Sequence, residues 1–161
     1  MATPKYILYS VIVFSLFGCA TRPIVPAGST ESVQISSFAP SSERSVVYLY
    51  RDRNSHYGLF ELTLDIGQDT ISTHPACYIR VELEPGQYHF EANHPSLFGF
   101  EDEMDFNAVA GNVSFFEYKP IAGFIVPGST KIMTKSKEEA TATINSQKLC
   151  SLPIIKLPGR K

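Results

Sequence analysis

Histidines, acids and cysteines are the residues here that could do chemistry. The histidines stand at 56, 74, 89 and 94, and Glu101, Asp102, Glu103 and Asp105 form an acidic run just after them. His89, His94 and the 101–105 run are close enough in sequence to suggest a hydrolase or a metal centre. Either would require the imidazoles and carboxylates to converge. The acids lack the glycine and the ligand spacing of an EF-hand loop. Solvated charge therefore accounts for them better, and His89 alternates onto the wet face of its strand. No Gly-x-Ser-x-Gly elbow and no Gly-x-x-x-x-Gly-Lys phosphate loop occurs. No cofactor and no metal is implied. The cysteines are Cys19, Cys77 and Cys150.

The chain surrounding these residues has a distinctive start. Lys5 is the one charge ahead of a mostly apolar run, Tyr6 to Phe17, broken only by Ser10 and Ser15. A bilayer-spanning helix needs roughly 20 apolar residues, so this run has the length of a signal-peptide core. It ends in Leu16-Phe17-Gly18-Cys19, which resembles the bacterial lipobox. The resemblance implies cleavage after Gly18 and acylation of Cys19. Each buried methylene contributes about 0.8 kcal/mol, so two or three acyl chains anchor firmly. The residue after the cysteine is Ala20 and not Asp, so the inner-membrane retention signal of enteric bacteria is absent. The expected address is the periplasmic side of the outer membrane.

Charge agrees with an anchor made of lipid. Of 14 Lys and Arg, Lys5 leaves with residues 1–18 and no acid does. The mature chain then has 13 bases against 16 acids, a formal charge of −3. That disfavours electrostatic attraction to anionic lipid or to nucleic acid, both of which call for a basic surplus. At 43 % apolar residues the chain is globular in composition.

The elements that position these residues follow from periodicity. Residues 19–44 hold the lipidated cysteine and a Ser/Thr/Pro-rich flexible tether, in which Val33-Gln34-Ile35 is at most a short strand. Ser45 to Arg51 is β-branched and aromatic. Gly58 opens a strand with Phe60, Leu62, Leu64 and Ile66 on one face. Asp65 to Asp69 is a turn candidate, and Thr70 to Thr73 continues as a short strand. In Cys77 to Leu83 the odd positions face inward, with Tyr78, Arg80 and Glu82 outward. Glu84-Pro85-Gly86-Gln87 then predicts a type II turn and a hairpin into Tyr88, Phe90 and Ala92. Met104–Val109, Val113–Lys119 and Lys131–Lys135 are further strands. Ser136 and Glu139 match a capping box for a helix running to about Leu149, with Ala140 and Ile144 toward the sheet. The expected fold is mainly β: an antiparallel sandwich, immunoglobulin-like or transthyretin-like, of about 7–8 short strands with one C-terminal helix. It covers residues 45–152, and an irregular tail follows at 153–161.

Four segments carry a family resemblance. They are Tyr48-Leu49-Tyr50-Arg51, Tyr78 to Tyr88 with its Pro85-Gly86, Ala108 to Phe116, and Lys148-Leu149-Cys150-Ser151-Leu152. In order and spacing, over about residues 45–152, they resemble the domain-of-unknown-function family numbered 2846. That family contains small bacterial envelope lipoproteins. Tyr88 stands where the family has His, and Phe115 where it has Tyr. The resemblance implies a β-sandwich-like envelope lipoprotein and brings no activity.

Two further expectations concern particular residues. Once Cys19 is acylated, Cys77 and Cys150 are a pair in an oxidising compartment, and a disulfide is expected; two separate buried thiols are the alternative. The loop His94 to Phe100 carries Leu97, Phe98 and Phe100, and Ala122 to Val126 is a second apolar stretch. Such residues are either buried beneath their loops or displayed to a partner or a membrane. The sequence thus points to a non-catalytic structural or interaction module of the envelope, with an envelope protein as candidate partner and no nucleic acid.

Overall fold

The computed structural model describes residues 22–159 apart from 97, 124 and 126, so Gly18, Cys19 and Leu97 lie outside the described residues. It contains helix α1 (Thr30–Ser36), strands β1 (Ser45–Tyr50), β2 (Leu62–Ile66), β3 (Asp69–Thr73), β4 (Cys77–Leu83), β5 (Gly86–Ala92), β6 (Asp102–Ala108), β7 (Val113–Ile121) and β8 (Ser129–Lys135), helix α2 (Lys137–Ser146), and short strands β9 (Cys150–Ser151) and β10 (Ile155–Leu157). Two sheets face each other. The first has the order β10-β4-β1-β7-β8, with β9 also on β4, and the second the order β3-β2-β5-β6. The expected mainly β sandwich is present. Its first sheet is mixed: β1 runs parallel to β7, and β9 and β10 run parallel to β4.

Between the sheets lies a core in which Val47, Leu49, Ile79, Val81 and Phe116 meet Leu64, Ile66, Ile71 and Phe90. A second apolar cluster covers the other side of the first sheet. There Val25, Ile35 and Phe38 from the N-terminal segment, and Ala140 and Ile144 from α2, pack on Val46, Tyr48, Tyr50, Tyr78 and Phe115. This cover changes the reading of β4. Tyr78, Arg80 and Glu82 do face away from the inter-sheet core, but that face is dry, and all seven β4 residues are buried. Arg80 is ion-paired with Glu82 at 2.9 Å and donates to the Ala39 carbonyl and the Tyr48 hydroxyl. Tyr48 in turn donates to the Ile35 carbonyl. Buried charge is tolerable when it is paired and its remaining sites are satisfied.

Much of the expected tether is therefore structured. Ser29 caps α1 by accepting from the Ser32 amide, and Ile35 is fully buried. Three apolar anchors, Val25, Ile35 and Phe38, pin the segment, too few to show a period. Val33-Gln34-Ile35 lies in α1 and not in a strand. The tail also pairs, since Ile155–Leu157 adds a strand to β4.

The turn at Glu84-Pro85 is a corner and not a hairpin. β4 belongs to the first sheet and β5 to the second. Both edges of β4 are already occupied, by β1 on one side and by β9 and β10 on the other. The true hairpins are β2–β3, β5–β6 and β7–β8. The first turns through Gly67-Gln68, where Gly67 has φ 67°, a conformation that favours glycine. The strand expected from Gly58 begins only at Leu62, and Phe60 is exposed. The capping box forms as expected: Ser136 Oγ accepts from the Glu139 amide, and Glu139 Oε2 from the Ser136 amide. The helix stops at Ser146, short of Leu149.

The two sheets are stitched together along one side. The Phe100 amide donates to the Gly128 carbonyl and the Thr130 amide to the Phe100 carbonyl, both at 2.9 Å. Asp102 accepts from the Ile132 amide and Lys131. Strand directions then divide the loops. Those at 51–61, 74–76, 93–101 and 122–128 gather where β1 ends, and those at 67–68, 84–85 and 109–112 gather at the opposite end.

Cys77 and Cys150 form a disulfide, joining β4 to β9 across a separation of 73 residues. Closing a loop of that size removes unfolded-state entropy amounting to roughly 4 kcal/mol. Reducing it, or replacing both cysteines by Ala, is expected to lower unfolding free energy by about 2–5 kcal/mol in denaturant titrations. A change under about 0.5 kcal/mol would show that the bridge constrains little.

Candidate functional site

The loop end is built on Arg51. This side chain leaves the last turn of backbone after β1 and is 1 % exposed. Its guanidinium donates to the carbonyls of Phe60 (2.8 Å), Tyr57 (3.1 Å) and Thr73 (3.2 Å), and lies over the Tyr118 ring. No carboxylate is ion-paired with it among the described residues. Burial pulls its pKa down to about 10, so it stays protonated at neutral pH. Only a planar, forked cation can serve three carbonyls and an aromatic face together. The result is a loop, residues 52–61, folded around a charge. In the sequence Arg51 stands out only as part of the first-strand motif Tyr48-Leu49-Tyr50-Arg51. A charged residue closing an otherwise apolar strand was the available signal.

His94 joins the other loops to this one. Its ring stands edge-on to Tyr57 with centroids 5.6 Å apart. The Ser96 amide donates to Nδ1, and the His94 amide donates to Glu101. The imidazole fills the space that side chains at Gly99 and Gly128 would need: a Cβ there would stand 1.7 Å from Nδ1 and 2.8 Å from Nε2 respectively. Nε2 is buried without a hydrogen-bond partner among the described residues. His94 thus wedges the 94–101 and 122–128 loops against Tyr57. Tyr118 reinforces this by donating to the Asn93 carbonyl.

On top of this rigid base sits an apolar rim. Leu59 is 90 % exposed, Phe60 59 %, Phe98 79 %, Phe100 65 % and Ile125 92 %. Phe98 and Phe100 are therefore displayed and not packed beneath their loop. Tyr57, Phe60, Pro95 and Ser96 line a small open cleft of about 220 Å³ beside it.

The other candidate residues fall elsewhere. His89 lies on the open outer face of the second sheet, with Nδ1 3.0 Å from Asp105 and Nε2 3.4 Å from Glu103. A shallow depression of about 500 Å³ adjoins it, lined by Gly67, Gln87, Tyr88, His89 and Asp105. Asp65 and Glu91 continue this face through the β2–β5 and β5–β6 pairings, giving it an acidic character. The 101–105 run is mostly strand: Glu103 and Asp105 project outward, Asp102 bonds β8, and Glu101 holds the His94 backbone. His89 and His94 thus have separate partners. Among the described residues no three His, Cys, Asp or Glu side chains are grouped as a metal would require. His74 is within 4.0 Å of Glu61, and His56 lies in the 52–61 loop.

No family model matches this chain, and no curated protein matches it.

Replacing Arg51 by Met strips three carbonyls of their donor and should cost on the order of 3 kcal/mol, with amides 55–61 exchanging faster. Arg51→Lys should recover only part, and an Arg51→Met loss under about 0.5 kcal/mol would remove Arg51 from its structural role. In an NMR titration His89 should have a midpoint above the ordinary value of about 6.5, because Asp105 hydrogen-bonds its ring and Glu103 adds charge. A raised folded value stabilises below the unfolded pKa, and that contribution is lost as pH climbs through the folded one. Asp105→Asn should lower the midpoint. His74, lowered chiefly by burial, should titrate below His89. The reverse order would contradict the geometry.

Proposed function

We propose that the mature chain is a bacterial envelope lipoprotein of the kind the 2846 family contains, acylated at Cys19 and facing the periplasm from the outer membrane. In this reading it works as a non-catalytic structural or interaction module. The observation that carries the proposal is Leu16-Phe17-Gly18-Cys19 at the end of a short apolar run behind Lys5. The Cys77–Cys150 disulfide supports it, because such bridges persist in oxidising compartments. The residues a hydrolase or metal centre would draw on, His89, His94 and Glu101–Asp105, are spread over a sheet face and a loop end. No helix among the described residues is long and apolar enough to cross a membrane, so attachment in this reading rests on lipid.

Metabolic labelling with radioactive palmitate tests the proposal. The wild type should carry label and fractionate with outer membranes, and Cys19→Ser should carry none and be released. An unlabelled wild type, or a labelled Cys19→Ser chain, would overturn it.

A further inference from the structure

The end of the sandwich that carries the apolar rim also holds Arg22. Arg22 donates to the Pro75 carbonyl, in the β3–β4 loop. Arg22 and Pro23 line one cleft with Leu59, Glu61, His74 and Pro75. From there the chain runs along the first sheet toward the opposite end, where the Ser41 carbonyl accepts from the Gly111 amide. Cys19 is three residues before Arg22, and three residues reach at most about 10 Å. An acyl anchor on Cys19 must therefore enter its bilayer close to Leu59. A long spacer would have left the domain free to turn, but residues 25–38 are packed into the fold and provide none.

We infer that the three-loop end is a membrane seat: Leu59, Phe60, Phe98, Phe100 and Ile125 insert into the interfacial layer of the bilayer that holds the lipid. This inference rests on acylation of Cys19. Three observations converge on it. The rim residues are each more than half exposed, although large apolar side chains normally avoid water in such a cluster. The opposite end is different, with Val109, 44 % exposed, the only large apolar residue displayed by its loops among the described residues. The rim is also held rigid from below, by Arg51 on the 52–61 loop and by the His94 wedge between the others. A preorganised apolar surface loses little freedom when it docks.

The chain contains no tryptophan, so a single introduced indole reports its own surroundings. The full chain is expressed with its leader, purified from membranes, and reconstituted into phosphatidylethanolamine and phosphatidylglycerol vesicles whose acyl chains are brominated near the glycerol. Phe98→Trp and Leu59→Trp probe two separate loops of the rim, and Val109→Trp probes the far end; circular dichroism checks that each folds. The expected result is blue-shifted emission and bromine quenching at 98 and 59, with water-like, unquenched emission at 109. Chain that floats with vesicles but keeps water-like emission at 98 and 59 overturns the seat and leaves the anchor standing. Equal quenching at 109 overturns it as well, since the chain then adsorbs without orientation. Rim indoles that stay wet in vesicles but become protected in intact envelopes assign the rim to a protein partner instead. Chain that fails to float at all defeats the anchor, and the seat with it.

Discussion

A guanidinium without a carboxylate partner among the described residues is buried where β1 ends, and much of the loop end follows from it. Taking such a cation out of water costs several kcal/mol unless every donor is used. Arg51 meets most of that demand with backbone, two carbonyls of the 52–61 loop and one of β3, while its Nε has no hydrogen-bond partner among the described residues. The loop cannot wander without stranding the charge, and the Tyr118 ring beneath restricts it further. Tyr118 also ties β7 to Asn93, beside His94, whose ring separates Gly99 from Gly128. One desolvated cation and one imidazole wedge thus convert three loops into a single surface. That explains how large apolar side chains can be held in the open without collapsing onto the sheet.

The first sheet imposes a second constraint. It is covered on both sides, by the second sheet and by a layer made of α1, its flanks and α2. A central parallel pair, β1 with β7, fits that burial, because parallel pairing is found where both faces are dry. The polar groups on the helix-side face are then obliged to find partners. Arg80, Glu82 and Tyr48 do so with one another and with the carbonyls of Ile35 and Ala39. The same layer consumes the segment that would otherwise have been a spacer, and Arg22 ahead of it sits at the loop end.

How much was legible in the sequence varied with the kind of signal. Alternation in 62–66, 77–83 and 86–92 marked the strands correctly, because inward positions face one continuous core. The capping box at Ser136 and Glu139 was legible because its two hydrogen bonds are local. The expected Cys77–Cys150 pair is present and joins two parallel neighbours, β4 and β9. What failed was partner choice. Pro85-Gly86 announces a reversal but cannot say whether the next strand pairs or crosses to the facing sheet. α1 was invisible because Val25, Ile35 and Phe38 dock by long-range contacts within a Ser-rich stretch. For the site, Phe98 and Phe100 were visible as candidates, but display and burial look alike in one dimension. Arg51 and His94 support the rim through backbone contacts far away in sequence, which no local pattern encodes.

The central claim is that one end of this sandwich is a preorganised apolar surface facing the bilayer. Hydrogen exchange read by mass spectrometry tests it most directly, comparing the acylated chain in lipid nanodiscs with the Cys19→Ser chain free in solution. The account predicts added protection confined to peptides spanning 52–61, 94–101 and 122–128, with those at 67–68, 84–87 and 109–112 unchanged. Protection spread over the acidic face of the second sheet, or none at the three loops, would contradict it.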